Sequence, residues 1–194
     1  TLNSPCNTIC SLTVDARLSE NIRKILKRNL TSAALDTATN GAVVVISLPE
    51  NEVLSTVGTP DPNSKREGMQ VNMALRPRAI GSTSKPFIYL KAFEKGARPY
   101  TLVKDEEIKY QIATGFDFFP KNFDGQYRGI VTLHEALSNS LNIPSVQTLE
   151  FAGLNDFYKF MREDLGFKSD QPLENYELGL ALGALEVDLT TLSS

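Results

Sequence analysis

From Asp15 onward, apolar residues recur at Leu18, Ile22, Ile25, Leu26 and Leu30. That three-to-four-residue spacing marks one face of a helix, with Asp15 placed to cap its start. Arg17, Arg23, Lys24, Lys27 and Arg28 fall mostly off the stripe and read as a solvated helix surface. Asn40-Gly41 then signals a turn, and residues 42–48 form a continuous β-branched, apolar run. A second run, residues 52–57, follows the break at Pro49-Glu50-Asn51. The pair predicts an antiparallel hairpin with well-buried strands. Residues 60–68 are polar and rich in Pro, Asn, Ser and Lys, which predicts a loop.

The next helix begins near Ser82 and continues through Phe87, Ile88, Tyr89, Leu90, Ala92 and Phe93 to a stop at Gly96. It is apolar on nearly every side until Lys91, Glu94 and Lys95, so it belongs in the interior of a domain. Pro86 suits its first turn, where a missing N–H does no harm. Residues 97–130 read as irregular, with turn signals at Thr114-Gly115 and Asp124-Gly125. Helical patterns return over about 132–139, 144–151 and 154–165. In the last of these, Leu154, Phe157, Tyr158, Met161 and Leu165 line one face. A helix, a hairpin and then mostly helices predict an α+β (mixed) domain whose sheet is short of strands.

Length and composition narrow this picture. The 194 residues suffice for one substantial core, or a core with a small appendage. The 41% hydrophobic and 22% charged content is ordinary for a soluble globular chain. The net charge of -3, without a basic stripe carrying interleaved aromatics, argues against a nucleic-acid partner. No run of 18 apolar residues is present, so no membrane helix is expected within these residues. A signal peptide and an initiator Met are also missing, and the chain reads as part of something longer. Cys6, Cys10 and a remote His134 make a weak metal site, since structural zinc takes four ligands. No metal or cofactor is expected. A Cys6–Cys10 disulfide and two unrelated thiols fit equally well.

The chemistry centres on Ser82-Thr83-Ser84-Lys85, an S-x-x-K pattern. On a helix, positions i and i+3 share a face, so hydroxyl and amine come within reach. Serine is a poor nucleophile near neutral pH and needs a base. Lysine serves as that base only where its ammonium is disfavoured. A buried helix start disfavours it twice, by desolvation and by the positive end of the helix dipole. The alternative is a Ser82 that merely caps the helix and a Lys85 that reaches solvent or a carboxylate. A phosphate-binding loop is excluded, because Ser84 and Pro86 occupy the places where that loop needs Gly and Ser/Thr.

A second polar element, Ser138-Asn139-Ser140-Leu141-Asn142-Ile143-Pro144, lies between two helical patterns. A short turn there projects Ser140 and Asn142 to the same side. The Ser140 hydroxyl could pass a proton between lysine and a leaving group. The Asn142 carboxamide could orient a substrate amide, as it both donates and accepts. A helix C-cap followed by an N-cap would use the same residue types.

At these two motifs the chain resembles the transpeptidase domain of penicillin-binding proteins, most closely the 1C subgroup of the bifunctional class A type, within the β-lactamase/transpeptidase-like superfamily. Residues 78–87 resemble the segment around the family's acylated serine, and residues 135–146 its S-x-N segment. Residues 120–124 and 180–187 are similar to further signatures, and residues 13–15 and the 42–57 hairpin fall in family order. The resemblance covers nearly the whole chain.

It implies acyl transfer on peptidoglycan stem peptides. Ser82 would be the nucleophile, Lys85 the base, Ser140 the proton relay and Asn142 the substrate-binding residue. β-Lactams would be alternative acylating ligands. No Lys-Thr-Gly or Lys-Ser-Gly occurs in the chain. Residues 1–194 are therefore expected to be a partial transpeptidase domain truncated before that motif. Later sheet strands would be absent, apolar surface would be exposed where they should pack, and residues 1–194 would hold the nucleophile but lack half of the apparatus around it. The parent is expected to be extracytoplasmic and membrane-anchored, with a glycosyltransferase domain. A non-catalytic binding or scaffolding module, and a β-lactamase or β-lactam sensor, are the competing readings.

Overall fold

The computed structural model describes residues 11–31, 38–111, 115, 117–169 and 171–194. Cys6, Cys10 and Thr114 lie outside them. The chain forms two units, Thr1–Pro77 with Asp188–Ser194, and Arg78–Val187.

In the first unit, α1 spans Ala16–Leu30 and Asp15 caps it, accepting a hydrogen bond from the Leu18 N–H at 2.9 Å. Lys27 and Arg28 occupy its last turn, where cations oppose the negative end of the dipole. Strands β1 (Val43–Ser47) and β2 (Glu52–Val57) form the expected antiparallel hairpin, with Val43 opposite Val57 and a bulge between Val45 and Ile46. The strands are less buried than their composition predicts: only Ser55 and Val57 are fully enclosed. A two-stranded sheet has no strand flanked on both sides, so β-branched residues alone do not enclose it. Helix α1 lies against β2, where the Asp15 N–H donates to the Leu54 carbonyl at 2.8 Å and the Ser19 and Ser55 hydroxyls meet at 2.9 Å.

The second unit is built on helices. A short strand β3 (Arg78–Ala79) leads into a 3-10 turn, Gly81–Ser84, and then α2, Lys85–Glu94. Residues 97–130 are not wholly irregular. They hold β4 (Leu102–Asp105), β5 (Tyr110–Gln111), β6 (Asp117–Phe118) and the start of β7 (Gly129–Thr132). β4 pairs antiparallel with β7, and β5 with β6. These strands are too short for a period-two pattern to register, and β4 finds its partner only after a long excursion of chain.

β7 runs directly into α3 (Leu133–Ser138) through a Thr132–Glu135 capping box. Helices α4 (Asn142–Ala152) and α5 (Leu154–Glu163) follow, then 3-10 turns and β8, Glu186–Val187, which pairs with β3. The core forms where Ile143, Val146 and Leu149 of α4 meet Ile88, Tyr89 and Ala92 of α2, with Phe157 and Met161 of α5 beside them. α2 is not enclosed on every side, because Pro86, Leu90 and Glu94 form an exposed stripe at i, i+4 and i+8. Its opposite face, which includes Lys85, points inward.

Candidate active site

The turn that carries Ser82 is held by backbone from the end of the second unit. The Gly81 N–H donates to the Gly183 carbonyl at 3.1 Å, and the Ile80 N–H to the Leu185 carbonyl at 3.1 Å. Gly183 has φ +73°, and a Cβ there would lie 1.9 Å from the Gly81 carbonyl oxygen, so the approach requires glycine. Within the turn, the Thr83 hydroxyl donates to the Ile80 carbonyl at 2.6 Å and the Ser84 hydroxyl to the Gly81 carbonyl at 3.0 Å. Ser84, not Ser82, occupies the N-cap of α2, and its side chain makes no capping hydrogen bond there. Ser82 is exposed, and it lines an open cleft of about 390 Å³ together with Ser140 and Asn142.

Lys85 lies beneath that cleft with only 1% of its surface exposed. Its Nζ donates to the Ser140 carbonyl at 2.5 Å, the Ser140 Oγ at 3.1 Å and the Asn142 Oδ1 at 2.7 Å. Three ammonium hydrogens thus meet three uncharged oxygens, and among the described residues no carboxylate pairs with the group. Burial without a countercharge lowers its pKa from 10.5 to about 8. The amine makes no hydrogen bond with Ser82 itself. Its side-chain links toward the cleft run through the Ser140 hydroxyl and the Asn142 carboxamide.

Ser140 occupies the left-handed region at φ +53°, unusual for a residue with a side chain. Chain reversal between α3 and α4 forces it there, as the Ser140 N–H returns to the Leu137 carbonyl and the Leu141 N–H to the Ala136 carbonyl. That reversal lets carbonyl and hydroxyl of one residue reach the same amine. Helix α4 begins at Asn142, two residues before the sequence pattern suggests, which places the Asn142 side chain at the helix start. The Asn142 Nδ2 donates to the Lys121 carbonyl at 2.7 Å, fixing which end of the carboxamide faces Lys85.

Two residues not singled out by the sequence reading hold this arrangement. Asn122 accepts from the Asn142 N–H through Oδ1 at 2.8 Å, capping α4 from a distant loop. Asp105, at the end of β4 and fully buried, accepts from the Asn122 Nδ2 at 2.8 and 2.9 Å and from the Arg128 N–H at 3.0 Å. Asn122 lies in the 120–124 segment whose family likeness was the one available signal. Asp105 carried none, as it lies in a stretch that reads as irregular. A second cavity of about 460 Å³, lined by Ala97, Leu102, Leu133 and Phe151 among others, contains none of these groups.

The family model described as the penicillin binding protein transpeptidase domain matches residues 41–177. Penicillin-binding protein 1F of Bacillus subtilis is 32% identical over 181 residues, covering 92% of this chain and 23% of that protein. Penicillin-binding protein 1A of Neisseria meningitidis is 33% identical over 145 residues, covering 74% of this chain and 18% of that protein. The crystal structure of penicillin-binding protein 1A from Haemophilus influenzae matches with a TM-score of 0.70 at 29% identity, over 79% of this chain and 22% of that one. The chain therefore spans about a fifth of the length of the relatives it matches.

Proposed function

The chain belongs to the penicillin-binding protein transpeptidase family, and from that premise we propose that it carries the nucleophile of a D,D-transpeptidase acting on peptidoglycan stem peptides. The observation that carries this reading is the buried Lys85, bonded to Ser140 and Asn142 beneath the cleft that Ser82 lines. Burial gives the amine a pKa of about 8, so a useful share of it is neutral near physiological pH.

In this mechanism the Ser82 Oγ attacks the carbonyl of the terminal D-Ala–D-Ala amide. The hydroxyl proton passes to neutral Lys85 through the Ser140 Oγ. It returns by the same route to the departing amine, and the C–N bond breaks to release D-Ala. The resulting ester is attacked by the amine of a neighbouring stem peptide, which forms the cross-link, or by water, which trims the peptide. One hydrogen of the Asn142 Nδ2 is held by Lys121, and the other is available to the carbonyl of a substrate amide. The Ser82 N–H would supply one oxyanion donor, the second coming from a Lys-Thr/Ser-Gly strand elsewhere in the parent chain. A β-lactam would acylate Ser82 by opening its strained amide. Residues 1–194 are then part of one transpeptidase domain, working outside the cytoplasm in a membrane-anchored parent.

The test uses the full-length parent and a synthetic stem pentapeptide ending in D-Ala-D-Ala, with products followed by mass spectrometry. Release of one D-Ala by the wild type, abolished in Ser82→Ala, is the expected outcome. A parent that releases none, or a Ser82→Ala variant that releases it at the wild-type rate, contradicts the proposal.

A further inference from the structure

Asp105 is a carboxylate with no exposed surface, placed where no substrate reaches it. It accepts from the Asn122 side chain through both oxygens and from the Arg128 backbone N–H through one. Its nearest cation is the Arg128 guanidinium at 3.9 Å, and that group is engaged at 2.7 Å by Asp124. Asp105 is therefore poorly explained as half of an ion pair. Such a buried carboxylate is retained at a cost unless its hydrogen bonds specify something.

What it specifies is the polarity of Asn122. Both Asp105 oxygens accept from the Asn122 Nδ2, so Asn122 turns its NH2 toward Asp105. The Gln126 carbonyl, 2.8 Å from the same Nδ2, requires the same orientation. The Asn122 Oδ1 is then left facing the Asn142 N–H, the first donor of α4, which no residue of its own helix caps. With the amide reversed, an NH2 would face an N–H and the cap would be lost. Asn142 in turn presents its Oδ1 to Lys85. Three links in series thus join Asp105 to the amine: Asp105 to the Asn122 side chain, Asn122 to the Asn142 backbone N–H, and the Asn142 side chain to Lys85.

We propose that Asp105 is a positioning residue for acylation, locking Asn122 so that the start of α4 holds its acceptors in register with Lys85. This rests on the transpeptidase reading above. Asp105 touches neither substrate nor the reacting atoms and acts only through Asn122. Losing the lock displaces the proton-transfer groups without removing any of them. Displacement on the order of 1 Å at a reacting centre costs up to about a hundredfold in rate.

The experiment measures acylation of the full-length parent by a fluorescent penicillin, resolving the first-order acylation constant at saturation from the half-saturating concentration. Asp105→Asn keeps the shape but offers an NH2 to a donor. It is expected to lower the acylation constant by about 10- to 100-fold per mole of folded protein, with the half-saturating concentration little changed. Asn122→Ala should show the same loss, and the double variant should be no slower than either single one. A purely structural role would reduce the yield of folded protein while the survivors acylate at the wild-type constant, and that result overturns the proposal. Losses that multiply in the double variant overturn it too. Should Asp105→Asn not fold, a wild-type constant for Asn122→Ala still overturns it. A wild type that takes no label overturns the transpeptidase reading and this inference with it. A labelled wild type with an equally fast Asp105→Asn overturns this inference alone.

Discussion

Replacing Lys85 with methionine keeps a long unbranched side chain in the same enclosed position and removes only the amine. With a pKa of about 8 in place of 10.5, roughly one Lys85 in ten is neutral at pH 7, against about one in three thousand for an ordinary lysine. Burial thus raises the share of competent base about 300-fold, and general-base help of this kind is typically worth about 10²–10⁴ in rate. Lys85→Met should slow penicillin acylation of the full-length parent by a factor in that range. The wild-type acylation rate should climb with pH to half its maximum near 8, and the variant's profile should be flat there. Stability gives an independent check. The folded-state pKa lies below the unfolded one, so between about pH 8 and 10.5 the unfolded chain binds more protons. The cost of burying the ammonium is fully present below that window and fades as pH rises through it. Relative to Lys85→Met, the wild type should therefore gain about 3 kcal/mol across those pH values, as read by urea denaturation. Near-normal acylation of Lys85→Met, or a wild-type profile without an inflection near 8, would refute the assignment of Lys85 as base.

Two further substitutions separate positioning from packing. Gly183→Ala places a Cβ 1.9 Å from the Gly81 carbonyl at a positive φ. It should cost at least about 1–3 kcal/mol in denaturation and slow Ser82 acylation, because the turn carrying Ser82 must shift. Thr132→Ala removes the capping box of α3, and should cost about 1 kcal/mol while leaving the acylation constant unchanged.

The helix from Asp15, the 42–57 hairpin and the helical face of Phe157, Tyr158 and Met161 were legible because each is written in local periodicity. The cap on α1 was legible for the same reason, as an aspartate just before an apolar stripe is a local signal. β4 and β7 were not legible, since four-residue strands joined across a long connection carry no local signature. At the site, the inward face of Lys85 followed from the apolar helix around it. That its amine bonds Ser140 and Asn142 rather than Ser82 did not follow, because i, i+3 spacing encodes only a shared face, whereas the acceptors that hold the amine come from a turn more than 50 residues further along the chain. Asp105 and Asn122 were hidden for a different reason. Their role is to satisfy a helix N-terminus from elsewhere in the chain, and a tertiary cap leaves no mark near the helix it serves. The segment 180–187 likewise showed only a family likeness until the backbone revealed Gly183 against Gly81.

The central claim is that Ser82 is the residue acylated. Its most direct test is incubation of the full-length parent with benzylpenicillin, followed by proteolysis and mass mapping of the peptide that contains Ser82. The account predicts that this peptide alone gains the mass of the ring-opened penicillin, and that Ser82→Ala leaves every peptide unmodified. Adduct on another residue, or an unmodified wild-type protein, would contradict it.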